Sequence, residues 1–255
     1  MTRSRPEGKA TDWLEADELL VESQPADLEV AGIDGCPGGW AIARLRGDQL
    51  RVERADSLVS IFAETRSGNL AVAAIDMPIG LLADRSRSSD AAARKLLGPR
   101  RSSVFATPVR STLQAEDYAD ACARSREASG KALSKQAFHL LPKIAHIDRL
   151  IEPDDQSRIV EAHPECAFAR LAGQPMAFPK ATAEGRALRV KLLRNAFAAL
   201  TTITVDDLLA ARVVPAVDLL DSLVLVLTAR HVVAGTERRL GGDLDPTGLY
   251  AEIVY

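Results

Sequence analysis

Two acidic residues stand at the ends of short apolar runs in this chain. Val30 to Ile33 ends on Asp34, and Leu70 to Ile75 ends on Asp76. A third acid lies in Ala216-Val-Asp218-Leu-Leu-Asp221-Ser-Leu-Val-Leu-Val-Leu227, where, Ser222 apart, the two aspartates are the only polar side chains. A first-turn acid such as Asp218 suits a helix dipole, but Asp221 sits a turn deeper. A buried carboxylate without a partner is costly enough to take up a proton or find a cation. A fourth acid comes from Glu161-Ala-His163-Pro-Glu165. In an extended stretch these three side chains share a face, and the Pro164 turn is expected to turn Glu165 away. That favours Glu161 as the ligand, with His163 as proton carrier or orienter. Carboxylate oxygens suit Mg²⁺ or Mn²⁺. Two such ions roughly 4 Å apart activate a water and stabilise a leaving oxygen in phosphodiester cleavage. The expected catalytic residues are thus Asp34, Asp76, Glu161, His163 and Asp221, and the expected metal ligands Asp34, Asp76, Glu161, Asp218 and Asp221.

The surrounding pattern must bring these acids together. A Gly- and Pro-rich turn follows Asp34, then a second strand from about Trp40 to Arg46, a hairpin at Gly47-Asp48 and a third strand from Gln49 to Ala55. Asp56 or Ser57 can cap a helix with Leu58, Val59, Ile61 and Phe62 on one stripe, and Gly68-Asn69 stops it. The fourth strand, Leu70 to Ile75, is fully apolar, as a central strand buried on both faces should be. A strand leaving a helix in this way lies parallel to the first by a right-handed crossover. Asp34 and Asp76 then face one crevice at the carboxyl ends of neighbouring strands.

Residues from about 82 to 155 read as a helical insertion. One helix begins at Ser88-Ser89-Asp90 and ends at Gly98-Pro99, another runs from about Ala115 to Ser129, and a third from Ser134 to Leu150, interrupted or kinked near Pro142. Between the first two lies a segment with Arg100, Arg101 and Arg110; with Arg85, Arg87, Arg94 and Lys95 it is the most basic part of the chain. It is expected to be a phosphate-contacting lid over the crevice. A fifth strand spans Arg158 to Ala162. Helices follow from Pro164 to Ala172, from about Thr182 to Ala199, and after Thr204, which has Asp207 three residues on. The last long helix starts at Pro215 and is apolar almost all round, so it belongs in the core. Gly241-Gly242 and a short edge strand, Leu249 to Val254, close the chain.

With 255 residues, 47% hydrophobic and 26% charged, the chain suits one α/β domain with an insertion. The expected division is a flexible arm over residues 1–27, with an amphipathic patch around Trp13, Leu14, Leu19 and Leu20, and one domain over 28–255. A net charge of −3 offers no global basic field for nucleic acid, and 4% aromatics weaken base stacking. Cys36, Cys122 and Cys166 match no zinc or disulfide spacing, so a reducing, cytoplasmic setting is the default. No run is long enough to span a membrane. No P-loop and no Gly-x-Ser-x-Gly elbow occurs. An actin-like or sugar-kinase-like phosphotransferase also opens on a strand, an Asp and a Gly-rich hairpin, but its second half would need another such hairpin, and none follows the fourth strand.

Over about residues 29 to 254 the chain resembles the domain of unknown function 429 group, regarded as predicted nucleases with a ribonuclease H-like fold. The matching pieces are Gly32-Ile-Asp34-Gly-Cys-Pro-Gly-Gly-Trp40, Ile75-Asp76-Met-Pro-Ile-Gly-Leu81, Ala93-Arg94-Lys-Leu-Leu-Gly98 and Ser102-Ser-Val-Phe105. Lys143-Ile144 with Asp148, Glu161-Ala-His-Pro-Glu165 and the Asp218/Asp221 pair complete them. The resemblance implies a mixed five-stranded sheet flanked by helices, with the helical insertion after strand four. It also implies Mg²⁺ or Mn²⁺ on the acids and a nucleic acid or nucleotide substrate held by Arg100, Arg101, Arg110 and Lys143. A non-catalytic scaffold that binds a nucleotide or a protein is the alternative.

Overall fold

In the computed structural model, which describes residues 28–255, three antiparallel strands come first. They are β1 (Glu29–Cys36), β2 (Gly39–Arg46) and β3 (Gln49–Ala55). The expected arm, residues 1–27, lies outside the described residues. Gly38 at φ 71° and Gly47 at φ 56° make the two tight turns, in a backbone region that glycine enters without steric cost. The helix α1 (Val59–Ser67) ends on left-handed Gly68. It starts after Leu58, whose N–H goes to His146 Nε2 at 3.1 Å, while Ser57 Oγ accepts the Val59 N–H at 3.3 Å.

The strand β4 (Val72–Ile75) is buried at every position and pairs in parallel with β1, Ile33 opposite Ile75. Adding β5 (Ile159–Glu161) parallel to β4 gives the order β3-β2-β1-β4-β5. The fold is therefore α/β, a mixed five-stranded sheet flanked by helices. Its order and strand senses are compatible with a ribonuclease H-like sheet.

Side chains alternate across this sheet. Val30, Val72, Ala74 and Val160 belong to the core on one face; Ala31, Ile33, Ala73, Ile75 and Ile159 belong to the core on the other. The first face is covered by α5 (Pro164–Leu171), α6 (Ala183–Phe197), α7 (Val205–Ala211) and above all α8 (Ala216–Ala234). Thr204 with Asp207 forms the capping box of α7 that the spacing predicts, and Thr182 caps α6, accepting from Gly185 N. The second face is covered by α1 and α4 (Lys135–Leu150). α4 is one continuous helix through Pro142, whose ring lies on its exposed side. Before it come α2 (Ser88–Leu97), two 3₁₀ turns at Gly98–Ser103 and Arg110–Gln114, and α3 (Tyr118–Ser129), capped by Asp117.

The end of the chain departs from the sequence reading. Gly241-Gly242 lies inside β6 (Arg239–Leu244), a strand not expected from the sequence, which pairs with β7 (Tyr250–Val254) through a bulge between Gly241 and Asp243. A parallel bridge from Ala162 to Val254 ties this hairpin to the edge of the main sheet. Among the described residues no helix is long and apolar enough to cross a membrane.

Candidate active site

Alternation along β1 and β4 sets the direction of the two strand-end acids. Asp34 follows Val30 and Gly32 at intervals of two, and Asp76 follows Val72 and Ala74, so both point to the face that α8 covers. Gly32 lets α8 come close. A Cβ at Gly32 would stand 2.1 Å from the Ser222 carbonyl oxygen and 2.4 Å from the Val226 nitrogen. The helix therefore rests directly on the β1 backbone, and Asp221, one residue before Ser222, is brought near enough for its charge to act on Asp34.

The three aspartates feel one another. Burial raises the Asp34 carboxyl well above its ordinary range, and the charges of Asp76 and Asp221 raise it further. Burial also raises Asp76, against the pull of His163 and Lys180 and a hydrogen bond with Asp34. Two carboxyl groups share a hydrogen bond only when one holds a proton. Asp221 is 1% exposed, and its carboxyl is pushed up to about 6, chiefly by burial. Lys180 and Asp221 form the closest ion pair here, Nζ donating to Oδ2 at 2.6 Å. Burial lowers the Lys180 pKa, yet Asp221, Asp34 and Asp76 together raise it far above its ordinary value. Nothing in the spacing of the sequence singles Lys180 out; it sits on the loop just ahead of the α6 cap. Asp218 lies at the edge of the cluster, half-buried, with Lys180 and Lys143 opposing the rise that burial causes in its carboxyl.

The two glutamates are held differently, and Glu161 lines a small cleft with Asp76 and His163. Glu161 pairs in register with Ile75, so it lies on the face opposite Asp34 and Asp76. Arg87 grips it there, with Nη1 and Nη2 each donating at 2.6 Å, and the Ile79 N–H donates at 2.7 Å. Arg87 also holds Asp90, which accepts from the Thr107 N–H at 2.8 Å. Glu161 is thus committed to a buried ion network that fastens α2 and the 104–107 loop to the sheet. Glu165, in the first turn of α5, is the glutamate whose charge raises both Asp76 and Asp221. Arg189 donates to its Oε1, and its buried Oε2 has no hydrogen-bond partner. His163 caps α5 next to Asp76, its charge favouring the ionised aspartate, and its buried Nδ1 is likewise without a hydrogen-bond partner.

Of the four expected substrate contacts, Lys143 comes nearest to the acids. It extends from α4 to the turn beyond Asp34, donates to the Gly39 carbonyl, and sets its Nζ 4.5 Å from the Trp40 ring centroid. Arg110 is spent elsewhere. Its guanidinium donates to Asp148 at 2.8 and 3.0 Å and to Asp245 at 2.6 Å, pinning the second 3₁₀ turn to α4 and the C-terminal hairpin. Arg100 and Arg101 sit on the first 3₁₀ turn and, among the described residues, form no ion pair with the cluster. The loop that follows them does approach it: Val104, Phe105 and Thr107 line a small cleft with Asp76 and His163.

Among the described residues no three acid, His or Cys side chains are already spaced to hold a metal ion. The donor chemistry nonetheless fits a hard cation. The donors are all oxygen, the pKa values are raised chiefly by burial with repulsion between the acids added to it, and Glu165 keeps one unpaired oxygen beside them. A family model described as "Protein of unknown function (DUF429)" matches residues 32–245. No curated protein and no solved structure matches the chain.

Proposed function

The chain belongs to the DUF429 family, and from that premise and the carboxylate cluster we propose that it is a metal-dependent nuclease, hydrolysing phosphodiester bonds. The observation that carries this reading is the convergence of three acids. Asp34 and Asp76 end neighbouring parallel strands on one face, and Asp221 meets them from α8. Asp34, Asp76 and Asp221 would hold Mg²⁺ or Mn²⁺, with Glu165 and Asp218 at the flanks. Bound there, the metal would make water a stronger nucleophile and offset charge on the phosphate.

The chain's own groups have separate tasks. Lys180 neutralises Asp221, and a divalent ion held by Asp221 would have to displace this half-exposed side chain. Lys143 holds a positive charge beside Asp34 for a substrate phosphate. His163, next to Asp76, is placed to carry a proton. Arg100 and Arg101 precede the loop that lines the cleft at Asp76 and would contact the phosphate backbone outside it. Three free, buried cysteines accord with a reducing cytoplasm.

The test is incubation of the purified protein with single- and double-stranded DNA and RNA, with Mg²⁺, with Mn²⁺ and with chelator, beside Asp34→Asn. Metal-dependent cleavage lost in the variant is the expected result. One observation favours a second reading, a non-catalytic nucleotide- or protein-binding scaffold: Lys180 already supplies a cation to the acids. Metal binding without turnover on any of these substrates would select the scaffold.

A further inference from the structure

The outer face of α4 carries charge of one sign. Its inward side is Ala137, Leu141, Ile144 and Ile147, all buried. The other side presents Lys135, His139, Lys143, His146 and Arg149, each three or four positions from the next, so they form one stripe. Lys135, His139 and Arg149 are exposed, and Lys143 and His146 half-buried. Asp148, the one acid of α4, lies off this stripe and is held by Arg110. Among the described residues no carboxylate forms an ion pair with Lys135, Lys143 or Arg149. Burial lowers the pKa of His146, and the charges of Arg149 and Lys143 lower it further, so two cations reach its ring.

The stripe leads to the acids. Lys143 donates to the Gly39 carbonyl, and Arg54, near the end of β3, donates to the neighbouring Gly38 carbonyl at 2.6 Å. Two cations thus flank the turn just beyond Asp34, against one exposed acid, Asp56, 3.4 Å from Arg54. The charge of Lys143 interacts with Asp34 and Asp218. From Lys135 to Arg149 the helix rises about 21 Å at ~1.5 Å per residue. About six phosphates of one duplex strand occupy that length, at ~3.4 Å each.

We propose that this face of α4, with Arg54, is a track for the phosphate backbone of a nucleic-acid strand, which it leads past Asp34. The choice of nucleic acid as the source of the phosphates rests on the nuclease reading. Lys143 and Arg54 hold the phosphates nearest the acids, and Lys135 and Arg149 those on either side. Such contacts set position and affinity and leave base sequence unread.

Fluorescence anisotropy with labelled DNA and RNA oligonucleotides, single- and double-stranded, in chelator and at several salt concentrations, tests this on the full chain. Lys135→Gln with Arg149→Gln should weaken binding at least tenfold at low salt and reduce the slope of log affinity against log salt by about 2. Arg54→Gln should reduce it by about 1. Arg186→Gln with Lys191→Gln, at exposed positions of α6 on the other face of the sheet, makes the same change of net charge and should leave the slope as it is. Equal effects of the two double variants overturn the proposal, since net charge alone would then act. So does an unchanged slope in the α4 variant, or binding to phosphatidylserine vesicles and to none of the oligonucleotides. Incubation with Mg²⁺ or Mn²⁺ separates this from the nuclease reading. Stripe-dependent binding without cleavage upholds the track and sinks the nuclease; cleavage with an unchanged slope does the reverse.

Discussion

At the scale of residues, the site is a contest between acids that repel one another and one lysine that holds them. Asp221 has a folded pKa near 6 against an ordinary 3.8. The metal-free folded state therefore keeps a proton that the unfolded chain releases. The contribution of this one group should be undiminished below about pH 4 and should be lost as pH rises to about 6, so it is read as the difference between the chain and Asp221→Asn. Urea unfolding of both proteins in chelator across pH 4 to 7 should show that loss. Lys180→Ala leaves a buried carboxylate without its counter-charge. The expected cost in metal-free protein is roughly 1–3 kcal/mol, below the ~3–5 kcal/mol of a fully buried pair because Lys180 is half exposed. The same variant should bind Mn²⁺ more tightly by calorimetry, since the competing cation is gone. Weaker Mn²⁺ binding would mean that Lys180 organises the site rather than competing for it.

At the scale of elements, the pleat of β5 sets Glu161 on the sheet face opposite Asp34 and Asp76. Glu161 and Glu165 are both buried and both paired with an arginine, so Glu161→Gln and Glu165→Gln should each lower stability by several kcal/mol, on the order of 3–5. Only Glu165→Gln should also remove most of the rise in melting temperature that Mn²⁺ produces. An equal loss in both would return Glu161 to the site. The packing of α8 on β1 has its own test. Gly32→Ala would drive a Cβ to 2.1 Å from the Ser222 oxygen, so helix and strand must part. A destabilisation of roughly 1–3 kcal/mol or more is expected, with weaker metal binding because Asp221 moves with the helix.

At the scale of the whole molecule, a chain of net charge −3 has no broad field to draw in nucleic acid, so any phosphate contact must be local. On the proposed reading, the 3₁₀ turn with Arg100 and Arg101 would be one such place, and Lys143 another. Reversing both arginines, Arg100→Glu with Arg101→Glu, should weaken binding to DNA or RNA and reduce the slope of log affinity against log salt by about 2. Fluorescence anisotropy at several salt concentrations measures this; an unchanged slope would leave that turn as an ordinary solvated surface. Arg110→Glu should instead unfold or loosen the protein, because Asp148 and Asp245 would lose their partner.

Short-range pattern carried most of the architecture. Alternation, apolar runs and caps are local, and they placed β1 to β4, the cap of α7, and the apolar α8 that bears Asp221. The crossover rule then made Asp34 and Asp76 neighbours from sequence alone, because handedness leaves one arrangement. Charged partners distant along the chain were not legible in this way. Glu161 meets Arg87 across 74 positions, and Asp221 meets Lys180 across 41; no periodicity links them, and packing alone chooses each pair. The β5 register and the proline turn at Pro164 decided that Glu165 faces the acids. The bulged β6 was hidden for a related reason: adjacent glycines carry no strand pattern of their own, and only pairing with β7 makes them a strand.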